Sequence, residues 1–162
     1  MPHWTAIELE PGFAFFLQSD GEKLTGAAFS TSAAESPPGW DEAGRTDDDP
    51  ILRQAAREIR EYFAGRRRVF TVPFEAEGTH FQCEVWKALC EIPYGEVRTY
   101  AGIAKVAGNP KAARAVGGAN HANPIPIFIP CHRVVTSDGG LGGFAVRLEF
   151  KRKLLAIEGV RR

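Results

Sequence analysis

Cys131-His132-Arg133 is the stretch of this chain with the most chemical potential. A cysteine beside a histidine and an arginine can have a lowered thiol pKa, because nearby positive charge favours the nucleophilic thiolate. A buried cysteine also serves as a small hydrophobe with no chemistry. The preceding segment, Asn123-Pro124-Ile125-Pro126-Ile127-Phe128-Ile129-Pro130, sets where the sulfur lies. Its prolines argue against a regular central strand and predict a stiff extended segment. Its large apolar side chains require burial, which carries Cys131 into the interior or onto the floor of a cleft. The residues alone leave both readings of Cys131 open.

A partner for the histidine can be read further on. A last helix is expected from about Leu148 to Glu158, with Gly159 as the residue that ends it. Glu158 lies four positions after Leu154 and three after Leu155, so it shares their inward face. It also sits at the negative end of the helix dipole, an unfavourable place for a carboxylate. An inward acid paired with a histidine accounts for both features; a solvated rim position is the alternative.

The elements that must hold these groups follow from length and pattern. A chain of 162 residues with 44% hydrophobic content fits one domain or two small ones. No apolar run reaches membrane-spanning length and no basic-then-apolar leader opens the chain, so a cytoplasmic protein is expected, nucleoid-associated in a prokaryote. The three cysteines, Cys83, Cys90 and Cys131, suit a reducing compartment. No CxxC pair or Cys/His cluster points to a metal, and no cofactor motif is present.

Charge is distributed unevenly. Residues 1–50 carry ten acids against Lys23 and Arg45, a net of −8, so residues 51–162 carry +8. From Val97 to Ser137 there is no acid, while Arg98, Lys105, Lys111, Arg114 and Arg133 fall there. Such a stripe suits a polyanion such as DNA, although charge runs are often plain solvated surface.

The N-terminal third reads as α/β. Strands are expected over Phe13–Leu17 and Leu24–Phe29, joined through Asp20-Gly21. Residues 30–48 read as an exposed loop. Asp49-Pro50 then caps a helix whose Ile51, Leu52, Ala55, Ile59, Tyr62 and Phe63 recur at helical spacing until Gly65. Val69–Val72 is a candidate return to the sheet. After a connection at 74–78, Thr79 and Gln82 stand at capping-box spacing before a helix with Phe81, Val85, Trp86 and Leu89 on its apolar face. Cys83 and Cys90 read as packing residues of that helix. Thr99 caps a short helix from Tyr100 to about Ala107. Asn109-Pro110 repeats the cap-plus-proline signal for a second helix reaching about Asn120. Helix, tight turn and helix is the layout of a helix-turn-helix DNA reader. On the second helix Lys111, Arg114 and Gly118 would share a face flanked by Ala113 and Gly117. That face suits close, sequence-tolerant contact with a groove, or packing inside a bundle.

Pro130-Cys131-His132-Arg133-Val134 resembles the active-site motif of the O6-alkylguanine-DNA alkyltransferases, the methylated-DNA–protein-cysteine methyltransferases. Gly108 to Ala119 is similar to their DNA-binding helix, and the similarity runs from about Thr79 to Gly159. The resemblance implies an α+β chain. A small N-terminal α/β domain of ribonuclease H-like type (1–73) and a connection (74–78) precede a mainly helical, winged helix-turn-helix-like domain (79–162). It further implies DNA repair by direct, stoichiometric transfer of an alkyl group from O6 of a flipped-out guanine to Cys131. His132 and Glu158 would assist. Tyr100 would crowd the target phosphate and stabilise the extruded guanine, and Asn123 would link the binding helix to the active-site segment. Arg114 would be the arginine finger, with Lys111, Ala113, Gly117 and Gly118 also facing DNA. Pro126, Phe144, Ala145 and Val146 would line the lesion pocket. The implied partner is double-stranded DNA containing O6-alkylguanine. The free protein is expected to be a monomer, with cooperative binding on DNA left open.

The target base must leave the stack to be reached. Extended neighbours point to opposite sides, so a water is expected to bridge Cys131 and His132. One departure from the family pattern stands after Phe144, where Ala145, Val146 and Arg147 replace a serine and two glycines. The expectation there is good handling of methyl lesions and poor handling of bulky ones. Three rivals are weaker. A non-catalytic lesion binder would lack Cys131, a helix-turn-helix regulator would need base-reading side chains, and a thiol hydrolase would not need the basic stripe.

Overall fold

The computed structural model describes residues 2–34, 36–142 and 148–160. The chain divides into two compact units, Met1–Ala76 and Glu77–Arg162.

The first unit is an antiparallel sheet with one helix. Strands β1 (His3–Glu10), β2 (Phe13–Ser19) and β3 (Leu24–Ser30) lie in that order. β1 escapes the sequence pattern because both of its faces are packed. Trp4 lies against Phe16 and Trp40 on one side, while Thr5 and Ile7 are buried on the other. The turn after β2 is longer than a two-residue hairpin, since Ser19 pairs with Leu24 and Asp20 accepts from the Glu22 and Lys23 amides. Residues 30–48 are not simply an exposed loop. Trp40 packs its ring on Trp4 and Phe16, and Glu42–Gly44 forms a 3-10 turn with Gly44 buried.

Helix α1 (Pro50–Phe63) begins where Asp49 accepts from the Ile51 and Leu52 amides, with Pro50 in the first turn. Leu52, Ala55, Ile59 and Tyr62 seat it on the sheet, each at most 1% exposed. Val69–Val72 does not rejoin the sheet. Val69 is 70% exposed, and the Thr71 and Val72 amides donate instead to the buried Glu58 carboxylate. The chain touches the sheet only afterwards, where Pro73 and Glu75 bond to the Leu24 main chain.

The second unit is mainly helical. Helix α2 (His80–Cys90) opens with a complete capping box, each of Thr79 and Gln82 accepting from the other's amide. Val85, Trp86 and Leu89 are its buried face. Cys83 and Cys90 are both exposed, contrary to a packing role, because their spacing puts them together on the flank away from that face. Strand β4 (Arg98–Thr99) leads directly into α3 (Tyr100–Val106), capped by the Thr99 hydroxyl.

Helix α4 (Ala113–His121) starts later than the Asn109-Pro110 signal suggests. The Asn109 carbonyl accepts from the Ala112 amide, so the dipeptide opens a tight turn rather than capping the helix. Lys111 therefore precedes the helix instead of sharing a face with Arg114 and Gly118. Helix α5 (Leu148–Ile157) ends on a Schellman motif, with Val160 donating to Leu155, Gly159 to Ala156, and Gly159 at φ 79°. Strand β5 (Val134–Val135) pairs in parallel with β4. Among the described residues no helix is long and apolar enough to cross a membrane.

Candidate active site and nucleic-acid interface

The segment before Cys131 is a closed turn and not the stiff extended run its prolines suggest. Asn123 closes it from within. Its Nδ2 donates to the Ile129 carbonyl at 2.8 Å, and its Oδ1 accepts from the Ile125 amide at 2.9 Å. The Ile129 amide donates to the Ile125 carbonyl, and Ile127 adopts φ 72°, a strained value for a β-branched residue. Ile125, Pro126, Ile127, Phe128 and Ile129 are all buried, so burial of the apolar run is achieved by folding it back on itself. Cys131–Arg133 follows as a 3-10 turn in which all three residues are buried.

Cys131 is 1% exposed. Burial pushes its thiol up to about 11, against the opposing influence of a hydrogen bond from Asn123 and the positive charge of Lys151. The basic neighbours His132 and Arg133 do not lower the thiol pKa by their charge, contrary to the expectation from adjacency, because the 3-10 turn directs both toward Glu158. His132 Nε2 lies 2.6 Å from Glu158 Oε2. Burial holds the His132 imidazole below its ordinary pKa, with Glu158 opposing. A neutral ring donating Nε2–H to Glu158 leaves Nδ1 as an acceptor, and Nδ1 is buried without a hydrogen-bond partner among the described residues.

Glu158 is more heavily satisfied than a histidine-orienting acid requires. Arg133 donates to it through Nε at 2.8 Å and a terminal nitrogen at 3.1 Å, and the Gly95 amide donates at 3.0 Å. Arg133 also donates to the Ile92 carbonyl at 2.7 Å. A carboxylate at a helix C-terminus is thereby compensated by a buried, forked cation. Arg133 leaves the basic stripe for the interior.

Lys151, which sequence reading passed over, is 0% exposed. Its Nζ donates to the Val134 carbonyl at 2.7 Å and lies 5.9 Å from the centre of the Tyr100 ring. Desolvation lowers its pKa from 10.5 to about 8, with the Cys131 thiolate favouring the charged form. The signal was available, because Lys151 precedes Leu154, Leu155 and Glu158 by three, four and seven positions on one inward face.

Tyr100 stands where the buried groups meet the surface. The β4–β5 pairing fixes the start of α3 beside the segment that follows Cys131. A Cβ on Gly142 would lie 2.7 Å from the Tyr100 ring, and one on Gly117 would lie 4.0 Å from it. Helix α4 runs past this point, held by Val116 and Ala119 and by the Trp86 indole donating to the Ala119 carbonyl. Its other side carries Arg114 and Gly118, both exposed, with Ala113 and Gly117 half-buried beside them. Lys111 is exposed in the turn ahead of it. A Cβ on Gly118 would meet nothing within 4 Å, so folding does not require glycine there. A mid-helix glycine with no internal reason leaves room for something outside the protein to approach the backbone.

Of the groups expected to line a lesion pocket, Pro126 is buried in the Asn123 turn, while Phe144, Ala145 and Val146 lie outside the described residues. Among the described residues no group of three or more His, Cys, Asp or Glu could hold a metal ion.

Comparison with known proteins places this geometry. Residues 80–160 match the DNA-binding domain of 6-O-methylguanine DNA methyltransferase, and residues 14–76 match its ribonuclease-like domain. The methylated-DNA–protein-cysteine methyltransferase of Methanosarcina acetivorans is 51% identical over 125 residues, covering 77% of this chain and 77% of that protein. The constitutive methylated-DNA–protein-cysteine methyltransferase of Bacillus subtilis is 50% identical over 114 residues, covering 70% and 69%. Among solved structures, the Mycobacterium tuberculosis OGT in complex with DNA superposes with a TM-score of 0.83 at 39% identity, covering 97% of this chain and 93% of that one.

Proposed function

The chain belongs to the 6-O-methylguanine DNA methyltransferase family, and on that premise we propose that it repairs double-stranded DNA by moving an alkyl group from O6 of guanine to Cys131. The observation that carries this reading is a buried Cys131 beside a His132–Glu158 pair, with Tyr100 between them and an exposed helix of small residues.

The residues divide the work by position. Arg114 on exposed α4 enters the duplex as the lesion base leaves the stack, while Lys111, Ala113, Gly117 and Gly118 lie against the groove. Tyr100 supports the extruded guanine. The proton of the Cys131 thiol passes to His132 Nδ1 through a bridging water, and Glu158, held in place by Arg133, stabilises the resulting imidazolium. Lys151 stabilises the thiolate. Sulfur then bonds to the alkyl carbon, the carbon–O6 bond breaks, and the proton held on His132 is returned through water to the departing guanine anion, which becomes guanine. Nothing in the constellation cleaves the thioether, so each chain reacts once. The reading includes a cytoplasmic protein, monomeric when free, which sedimentation of the DNA-free chain would check.

The test is product analysis. A duplex carrying one O6-methylguanine, incubated with excess protein and digested to nucleosides, is expected to yield 2′-deoxyguanosine in place of the modified deoxynucleoside, and Cys131→Ala is expected to leave the lesion intact. Release of free modified base would mean glycosidic cleavage instead, and tight binding with an unchanged lesion would mean a binder without chemistry.

A further inference from the structure

A groove of about 540 Å3 lies in the first unit between β1 and α1, remote in sequence from the residues of alkyl transfer. The seating of α1 through Leu52, Ala55, Ile59 and Tyr62 turns Arg53, Arg57 and Arg60 together onto one flank, at i, i+4 and i+7, along the groove. All three are exposed. Arg53 donates to the Asp48 carbonyl at 3.1 Å, whereas no hydrogen bond or ion pair among the described residues engages the guanidinium of Arg57 or Arg60. The one carboxylate in the lining, Asp47, accepts from the Thr5 hydroxyl at 2.7 Å. Ile7, Leu52 and Ala56 give the groove an apolar floor.

The opposite wall is a sheet edge. β1 is the outermost strand, and the Trp4 carbonyl accepts from the Thr46 amide on its outer side. Main-chain groups alternate along an antiparallel strand, so those of Ala6, two residues on, face the same way into the groove. The chain that covers this edge at Trp4 pairs through Arg45 and goes no further along it. An open strand edge beside a flank of unengaged guanidinium groups has the geometry of strand addition, with main-chain bonds for affinity and side-chain pockets for selection.

We propose that this groove docks an extended acidic segment of a partner polypeptide, added alongside β1 with its carboxylates on Arg57 and Arg60. Arginine forks match carboxylates in pairs, and alternate side chains of an added strand reach one wall. Nucleic acid fits less well. A phosphate backbone has no donor for the Ala6 carbonyl, whereas an added strand supplies its amides.

The probe is a fluorescein-labelled peptide, Glu-Val-Glu-Val-Glu-Val, titrated by anisotropy against the full chain. Binding is expected to weaken at least about tenfold in the double variant Arg57→Glu/Arg60→Glu. Ala6→Pro is expected to weaken it similarly, since proline removes the outward amide and is tolerated on an edge strand. Both variants should retain the wild-type rate of alkyl transfer, which shows that they fold. No binding by wild type, or equal binding by all three proteins, would overturn the proposal. So would displacement of the peptide by a single-stranded oligonucleotide whose own binding is lost in the arginine variant but kept in Ala6→Pro, which would make the groove a polyanion surface.

Discussion

Lys151 is the residue on which the behaviour of the thiol turns. A lysine with 0% exposure pays for desolvation, and its pKa falls to about 8. Stability then carries a signature in pH. Between pH 8 and 9 the folded chain sheds this proton, while the unfolded chain, with the ordinary value of 10.5, retains it. The unfolded state binds more protons there, so stability rises with pH. Below pH 8 both states hold the proton and the lysine adds no slope. Above pH 9.0 Cys131 works in the opposite direction, because its folded thiol stays protonated to about 11. Denaturant titrations at pH 8 and pH 9 are expected to show wild type gaining about 1 kcal/mol relative to Lys151→Met; a flat difference would contradict the burial of a charged lysine. At this scale the pairing of His132 with Glu158 was legible, because an inward acid at a helix C-terminus needs a reason. The place of Arg133 was not legible, because adjacency to a cysteine cannot reveal that a 3-10 turn will send the guanidinium to Glu158.

Helix α4 carries two glycines where a helix prefers alanine. Gly117 and Gly118 stand in its interior, and neither has a neighbour that would forbid a Cβ, the nearest contact being 4.0 Å. Gly118→Ala is therefore expected to stabilise the protein by about 0.5–1 kcal/mol and to weaken binding to an unmodified duplex. Thermal unfolding and anisotropy check the two halves, and a variant that binds DNA as well as wild type would remove α4 from the interface. The existence of α4 was legible from its run of small residues, but its first residue was not. Asn-Pro serves equally as a helix start and as the opening of a tight turn, and only the Asn109–Ala112 hydrogen bond decides between them. Strand β1 was lost for a related reason. Packing on both faces removes the alternation that identifies a half-buried strand.

For the whole molecule, the opposing charges of residues 1–50 and 51–162 put the basic excess on the side of the chain that holds α4 and Cys131. That excess was legible from counting alone, as was the division into α/β and helical parts, whereas the groove beside β1 needed the fold to assemble it. The site is built tightly. Cys131 is 1% exposed, in contact with Asn123 and close to Lys151, so a methyl group added to its sulfur must displace neighbours. The alkylated chain is expected to be destabilised by roughly 1–3 kcal/mol and to melt lower; an unchanged melting temperature would mean that the pocket has spare room. One acceptor cysteine per chain, with no group among the described residues of the site that would cleave a thioether, requires that repair stop when the protein is consumed. Mixing a fixed amount of protein with increasing duplex containing radiolabelled O6-methylguanine, and locating the label by peptide mapping, tests this most directly. The account predicts a plateau at one methyl group per chain, all of it on Cys131; loss of more methyl groups from DNA than there are chains, or label on another residue, would contradict it.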